Sequence, residues 1–214
     1  RKIVSSLCLI PQMWTYAGIP FGVSRTEAVS TDPDYRNRGL VRELFKALHA
    51  KSEALGHLVQ GITGIPYFYR QFGYEYAIDL GGGKQTLFAS LPTLKESEPE
   101  PYRLRAMTVD DIPFAARLYA RDGARSLVVC PRDESFWRFL LTGYSPDSFE
   151  YRHYRIIETT DGRAMGYLSA SPETWWNHFL GVVEIAFDEG APVRAAMPAV
   201  LRALKVIVDV QGAQ

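Results

Sequence analysis

The sequence predicts an α/β (α+β) chain built as two successive parts, each a mixed central sheet flanked by helices. Three observations carry that prediction. Lys2 to Ile10 and Ile19 to Ser30 have the β-branched and apolar recurrence of extended strands. From Gly39 the apolar spacing changes to three and four residues, the period of a helix with one buried face. A polar stretch with three prolines, Leu91 to Pro101, then separates these elements from a second run in similar order. The expected division is a first domain over 1–90, a linker over 91–101 and a second domain over 102–214.

The elements follow in order. Gly18 and Pro20 mark the turn between the first two strands. Leu40, Leu44, Ala47, Leu48 and Leu55, with Arg42, Glu43, Lys46 and Lys51 between them, predict an amphipathic helix ending near Gly56. Leu58 to Ile62 reads as a short buried strand. Gly64-Ile65-Pro66 then turns into a helix over Tyr67 to Phe72, because proline is tolerated in a first helical turn, and Gly73 stops it. Past the linker, Tyr102 to Ala106 predicts a strand and Val109 to Tyr119 a helix capped by Thr108 or Asp110. A helix over Asp133 to Leu141 follows, then strands at Tyr154 to Glu158, Met165 to Ala170 and Gly181 to Phe187. A last helix runs from Pro192 to about Lys205, and Val206 to Val210 reads as a strand cut short.

Composition narrows the function. Lysine plus arginine number 24 and aspartate plus glutamate 24, so no net field draws the chain to nucleic acid or to an anionic membrane. No apolar run reaches the roughly 20 residues of a membrane span, and no charged segment leads into an apolar one at the start. The expected compartment is the cytoplasm. Cys8 and Cys130 match no metal or redox spacing, and the four histidines do not cluster with them, so reduced thiols and no metal are expected.

The chemistry is concentrated between the second strand and the first helix, in Thr31-Asp32-Pro33-Asp34-Tyr35-Arg36-Asn37-Arg38-Gly39-Leu40-Val41. An arginine-rich turn at the mouth of a helix offers unpaired backbone N–H groups at the positive end of the helix dipole, which suits a pyrophosphate. Gly39 permits close approach, and Arg36, Arg38 and Arg42 add charge at the same place. The competing reading is an ordinary surface turn with a solvated basic face. A second segment, Pro66-Tyr67-Phe68-Tyr69-Arg70-Gln71-Phe72-Gly73-Tyr74, sets Tyr69 four residues before a glycine, from where a phenol can reach a thiolate held by the first segment.

Together these segments resemble the GNAT superfamily of N-acetyltransferases. Arg36 to Val41 are similar to its Arg/Gln-x-x-Gly-x-Gly/Ala pyrophosphate loop, departing at Val41, and Tyr69 to Tyr74 to its Tyr-x-x-x-Gly-Phe/Tyr segment. Pro33 to Val41 and the Phe-Gly-Tyr ending resemble the Eis-like (enhanced intracellular survival) branch. The close likeness covers about residues 20 to 80. It implies tandem GNAT-like acyl-CoA N-acyltransferase folds, the first lacking its N-terminal elements, in a fragment of a longer protein.

The resemblance further implies acetyl-coenzyme A as co-substrate. Val29, Ser30 and Thr31 would line its pantetheine arm through backbone groups, Asn37, Arg38, Gly39, Leu40, Val41 and Arg42 would hold the pyrophosphate, and Gly64 and Ile65 would flank the cofactor where strands splay apart. Tyr69 would be the general acid for the departing thiolate, the alternative being a packing residue with its hydroxyl tied to backbone. Tyr67 and Tyr74 are packing residues or walls of the acceptor pocket. Glu27 is a candidate base or a solvent-facing strand residue.

The implied acceptor is a primary amine, either a small molecule or a lysine side chain, and the branch admits a homo-oligomer. A non-catalytic acyl-CoA sensor and a structural fragment stand as alternatives. Trp14, Tyr16, Phe21, Trp137, Trp175 and Trp176 read as core or interdomain packing ahead of walls for a cationic amine. Gly81-Gly82-Gly83-Lys84 reads as a flexible turn, lacking phosphate-loop spacing. The second part's counterpart loop, Glu189 to Arg194, carries Pro192 where backbone donors are wanted, so no coenzyme A is expected there.

Overall fold

The computed structural model describes residues 2–78, 84–95, 98–148, 150–174 and 179–212. Gly81 to Gly83, linker residues Glu96 and Ser97, and Trp175 and Trp176 lie outside the described residues. In chain order the elements are β1 (Ser5–Tyr16), β2 (Ile19–Thr31), α1 (Leu40–Ala54), β3 (Val59–Ile62), β4 (Tyr102–Ala106), α2 (Ile112–Gly123), β5 (Val128–Val129), α3 (Glu134–Thr142), β6 (His153–Thr159), β7 (Ala164–Ala170), β8 (Val182–Phe187) and α4 (Val193–Gly212). They form two compact units: Arg1–Gly83 with Ser126–Pro131, and Lys84–Arg125 with Arg132–Gln214. Residues 126–131 thus pack with the first unit although they follow much of the second in sequence.

The first unit's sheet has the order β3-β2-β1-β5. The β1–β2 hairpin closes at Ala17-Gly18, both with positive φ (48° and 82°), the conformation that matches strand twist in a two-residue turn. Pro20 lies inside β2 rather than in the turn, as the second residue of the strand. β3 runs parallel to β2, from Val23↔Val59 to Thr26↔Ile62, with α1 as the crossover. The helix buries Phe45, Leu48 and Ser52. The Phe45 ring stacks on Phe72 with centroids 4.4 Å apart and planes at 9°. At the other end of α1 a buried Ser24 Oγ donates to Ser52 Oγ at 2.9 Å and lies 2.7 Å from His57 Nδ1, which ties the helix and the approach to β3 onto β2.

The second unit's sheet has the order β4-β6-β7-β8 and is antiparallel throughout its described pairs. Successive strand residues point to opposite faces, and here both faces are covered. Ile156 and Tyr167 pack with Ile112, Ala115 and Leu118 of α2 and with the fully buried Trp137 of α3. Their neighbours Ile157 and Leu168 pack with Val200 and Leu204 of α4. Trp137 is therefore core and not a pocket wall. Val206 to Val210 continue α4 instead of starting a strand, with Ile207 extending the apolar stripe that Val200 and Leu204 begin. The proline-bearing stretch 91–101 is held to the same helix: Arg202 donates to both carboxylate oxygens of Glu100, at 2.5 and 2.8 Å, and to the carbonyl of Pro92 at 2.9 Å. Among the described residues no helix is long and apolar enough to cross a membrane.

Candidate active site

The geometry that matters begins where β2 outruns its parallel partner. Pairing with β3 stops at Thr26↔Ile62, whereas β2 continues to Thr31 paired with β1 alone. Glu27 to Thr31 therefore present one strand edge that no described strand pairs with, a row of backbone donors and acceptors open to an extended ligand. Within this segment the β1–β2 register shifts between Ser6↔Ser30 and Cys8↔Glu27, and Ala28 adopts φ 53°. A bulge with a non-glycine residue in the left-handed region re-aims the backbone beside Val29. On the β1 side the segment is pinned by side chains. Ser5 Oγ donates to the carbonyl of Ser30 at 3.0 Å and lies 2.9 Å from Thr31 Oγ1, and the Ser6 and Ser30 hydroxyls are 3.0 Å apart.

β2 leads directly into the loop. Asp32 accepts the N–H of Asp34 at 3.0 Å, capping a single turn over Pro33–Tyr35, and pairs with Lys2 at 2.8 Å. The hydrogen bond from Lys2, then that from the Asp34 backbone, holds the Asp32 carboxyl below its usual range. The Tyr35 ring lies under both Lys2 and Arg38, 5.6 and 4.7 Å from its centroid. Arg38 also folds back to donate to the Asp34 carbonyl at 2.8 Å. Asn37 (φ 60°) and Gly39 (φ 74°) then reverse the chain into α1. The first intrahelical bond joins Glu43 N–H to the Gly39 carbonyl at 3.1 Å, and Gly39 supplies no side-chain cap. The N–H groups of Leu40, Val41 and Arg42 accordingly have no partner inside the helix. A Cβ on Gly39 would meet nothing within 4 Å, so the space in front of this helix start is open. Val41 is half-buried, which takes part of its larger side chain off the loop.

The Tyr69 segment is a single 3-10 turn, Phe68–Phe72, and not the longer helix expected. Tyr67 cannot begin it helically because it sits at φ 64°, with its N–H donated to the Tyr76 hydroxyl at 2.7 Å. Gly73, at φ 90°, ends the turn as expected of a glycine stop. Two tyrosines differ sharply here. The Tyr74 hydroxyl donates to Gln60 Oε1 at 2.9 Å and lies 3.5 Å from Thr26 Oγ1, so it is tied into β2 and β3. Tyr69 is half-buried among Phe68, Phe45 and Tyr74, with ring centroids at 5.0, 5.9 and 6.2 Å, and its hydroxyl has no hydrogen-bond partner among the described residues. Burial, and then the negative charge of Glu27, push the Tyr69 phenol above its ordinary value. Glu27 itself accepts from Arg25 Nε at 2.8 Å and pairs with its Nη2 at 2.7 Å, with its side chain still partly exposed.

The arrangement thus offers an open strand edge, an uncapped helix start with basic neighbours, and a phenol whose hydroxyl is unengaged. Sequence reasoning missed two contributors. Ala28 gave no signal, since its residue type does not distinguish a bulge from a regular strand position. Gln71 accepts from Arg42 and so joins the loop's helix to the Tyr69 turn, a contact between residues 29 positions apart that no local spacing reveals.

A strand edge freed where its parallel partner ends, followed by a loop and a helix start, is a GNAT-like arrangement. Residues 1–77 match the family model described as an acetyltransferase (GNAT) domain. Solved structures agree on the fold. A GCN5-related N-acetyltransferase from Kribbella flavida superposes with TM-score 0.60 at 20% identity, covering 96% of this chain and 48% of that one. A probable N-acyltransferase from Enterococcus faecalis V583 gives 0.57 at 18% identity, covering 99% and 50%. Saccharomyces cerevisiae N-myristoyltransferase with bound myristoyl-CoA and inhibitors gives 0.59 at 12% identity, covering 99% and 57%. The chain spans about half the length of the first two of these structures. No curated protein matches it.

Proposed function

We propose that the first unit binds acetyl-coenzyme A and transfers its acetyl group to a primary amine, on a small molecule or a lysine side chain, as part of an Eis-like N-acetyltransferase. The observation that carries this is the free edge of β2 from Glu27 to Thr31 leading into the uncapped start of α1. The pantetheine arm would run along Val29, Ser30 and Thr31 as an added strand, with Gly64 and Ile65 on its far side. The pyrophosphate would rest on Asn37, Arg38, Gly39, Leu40, Val41 and Arg42, where backbone donors and arginine forks meet.

The reaction is direct. The neutral amine attacks the thioester carbonyl carbon, and a backbone N–H at the Ala28 bulge stabilises the developing oxyanion. The nitrogen gives up its extra proton to water, the carbon–sulfur bond breaks, Tyr69 gives its hydroxyl proton to the departing thiolate, and water returns a proton to the phenolate. The phenol carries its proton at neutral pH, and its raised pKa makes transfer to a thiolate less favourable, so the proton moves only as the carbon–sulfur bond breaks. The second unit, whose Glu189 to Arg194 loop has Pro192 in place of a donor, is assigned no coenzyme A. The same reading carries a cytoplasmic setting and, from the Eis-like resemblance, a homo-oligomeric assembly.

The test is isothermal titration of the folded chain with acetyl-coenzyme A beside thiol release over a panel of primary amines. Binding with amine-dependent release supports the proposal. No binding by folded protein overturns it, and binding without release on any amine points to an acyl-CoA sensor.

A further inference from the structure

Gly64 follows β3 in an irregular segment, is exposed, and does not occupy the left-handed backbone region. Conformational freedom is therefore not the reason for glycine at this position. Volume is. A Cβ built on Gly64 would fall 2.4 Å from Cδ2 and 2.8 Å from Cε2 of Tyr69, well inside van der Waals contact. The Cδ2–Cε2 edge of the Tyr69 ring occupies the space where any other residue would place a side chain. Its aromatic neighbours among the described residues are the rings of Phe68, Phe45 and Tyr74.

This packing addresses a specific problem. A buried or half-buried tyrosine is commonly oriented by a hydrogen bond to its hydroxyl, as Tyr74 is by Gln60. Tyr69 has no such bond among the described residues. Its ring must then be held by shape alone if its proton is to remain available at a fixed point.

We infer that Gly64 is a positioning residue for Tyr69: by lacking a side chain it forms one wall of the slot that fixes the phenol ring while leaving the hydroxyl unengaged. The inference rests on the proposed acetyl transfer for its catalytic consequence and on the ring contact alone for its structural one. The Phe45 ring also contacts Tyr69, with centroids 5.9 Å apart, and because Phe45 stacks on Phe72 it cannot give way without disturbing that α1 contact. A methyl group at residue 64 therefore pushes the ring out of its slot instead of being absorbed by the wall.

The experiment uses Gly64→Ala, Tyr69→Phe and the double variant in the full chain, with acetyl-coenzyme A affinity and kcat measured for each. Gly64→Ala is expected to lower kcat at saturating acetyl-coenzyme A by about 10- to 100-fold, the cost of an ångström-scale misplacement of a reacting group. In the Tyr69→Phe background the same substitution is expected to lower kcat no further, since there is no phenol left to misplace. An unchanged kcat for Gly64→Ala, or an equal loss of kcat in both backgrounds, would overturn the inference. A second readout is independent of turnover. With 3-fluorotyrosine at residue 69, Gly64→Ala should displace the fluorine resonance, and an unmoved resonance overturns the pinned ring even if activity falls. A displaced resonance in a chain that binds no acetyl-coenzyme A would instead leave the slot standing and sink the acetyl-transfer reading.

Discussion

The guanidinium of Arg42 donates through Nη2 to Oε1 of Gln71 at 3.1 Å, while Nε2 of the same glutamine donates to the Phe68 carbonyl at 3.0 Å. One amide thus joins the first turn of α1 to the turn that carries Tyr69. The contact orients Arg42 without neutralising it, leaving its charge for an anion at the helix start. Arg42→Ala removes a charge-assisted bond worth about 1.5–3 kcal/mol and should raise the Kd for acetyl-coenzyme A by about 10- to 100-fold. Gln71→Ala keeps the charge and loses only its orientation, so its Kd should rise by less than about tenfold. Titration calorimetry separates them, and equal losses would mean that Arg42 acts through the glutamine rather than on the phosphate.

Gly39 makes two separable demands on its residue type. Its φ of 74° disfavours any side chain, and the space around its missing Cβ is open. Gly39→Ala should therefore destabilise the folded chain by about 1–2 kcal/mol while leaving affinity within a few-fold. Gly39→Glu adds a carboxylate where the pyrophosphate would rest and should abolish binding. Urea unfolding and calorimetry read the two effects independently, and loss of binding by the alanine variant would show that conformation rather than charge governs the loop.

The paired substitutions Tyr69→Phe and Tyr74→Phe test which hydroxyl does chemistry. Tyr69→Phe should cut kcat by about 10²- to 10⁴-fold with cofactor affinity nearly unchanged. Tyr74→Phe breaks the bond to Gln60 and should cost about 1 kcal/mol of stability with kcat retained. A general acid works in its protonated form, so kcat must fall as pH rises through its pKa. Burial, then the charge of Glu27, raises that pKa, placing the basic limb above the ordinary phenol value of about 10. A limb set by Tyr69 disappears in Tyr69→Phe and persists in Tyr74→Phe.

The elements with a strong local period were legible in the sequence. The spacing of Leu40, Leu44 and Leu48 places α1, Asp133 caps α3 as an acidic residue before an apolar run should, and Tyr102 to Ala106 is a strand from end to end. The candidate site was legible where residue type alone carries the conformation, as at Gly39 and Gly73. It was illegible where the cause is tertiary. Val206 to Val210 has strand-forming residues, yet the helix begun at Val193 continues through it because its apolar face meets the sheet. Tyr67 to Phe72 has a helical spacing too short to nucleate a helix, and the bond from Tyr67 N–H to the Tyr76 hydroxyl fixes a different start. Ala28 and Gly64 are decided by a bulge and by a ring edge occupying the side-chain space, neither of which leaves a period.

The second unit offers a prediction independent of catalysis. Asp111 receives a two-pronged pair from Arg105, at 2.6 and 2.7 Å, and its carboxylate also accepts the Thr108 N–H at 2.8 Å and the Thr108 hydroxyl at 2.9 Å. These contacts join β4 to the turn that starts α2. The hydrogen bonds from Arg105, offset in part by burial and reinforced by Thr108, hold the Asp111 carboxyl down at about 2. A carboxyl whose folded pKa lies below its unfolded value stabilises the fold only while ionised, so the contribution is complete above the unfolded value of 3.8 and is lost as pH falls through about 2. The shift corresponds to about 2 kcal/mol at neutral pH. Asp111→Asn keeps the shape and loses the charge; it should unfold at lower urea than the parent chain at pH 7 and pH 5, with the gap narrowing below pH 4 and closing near pH 2. A gap that stays constant across that range would assign the loss to disturbed capping geometry instead of to the ion pair with Arg105.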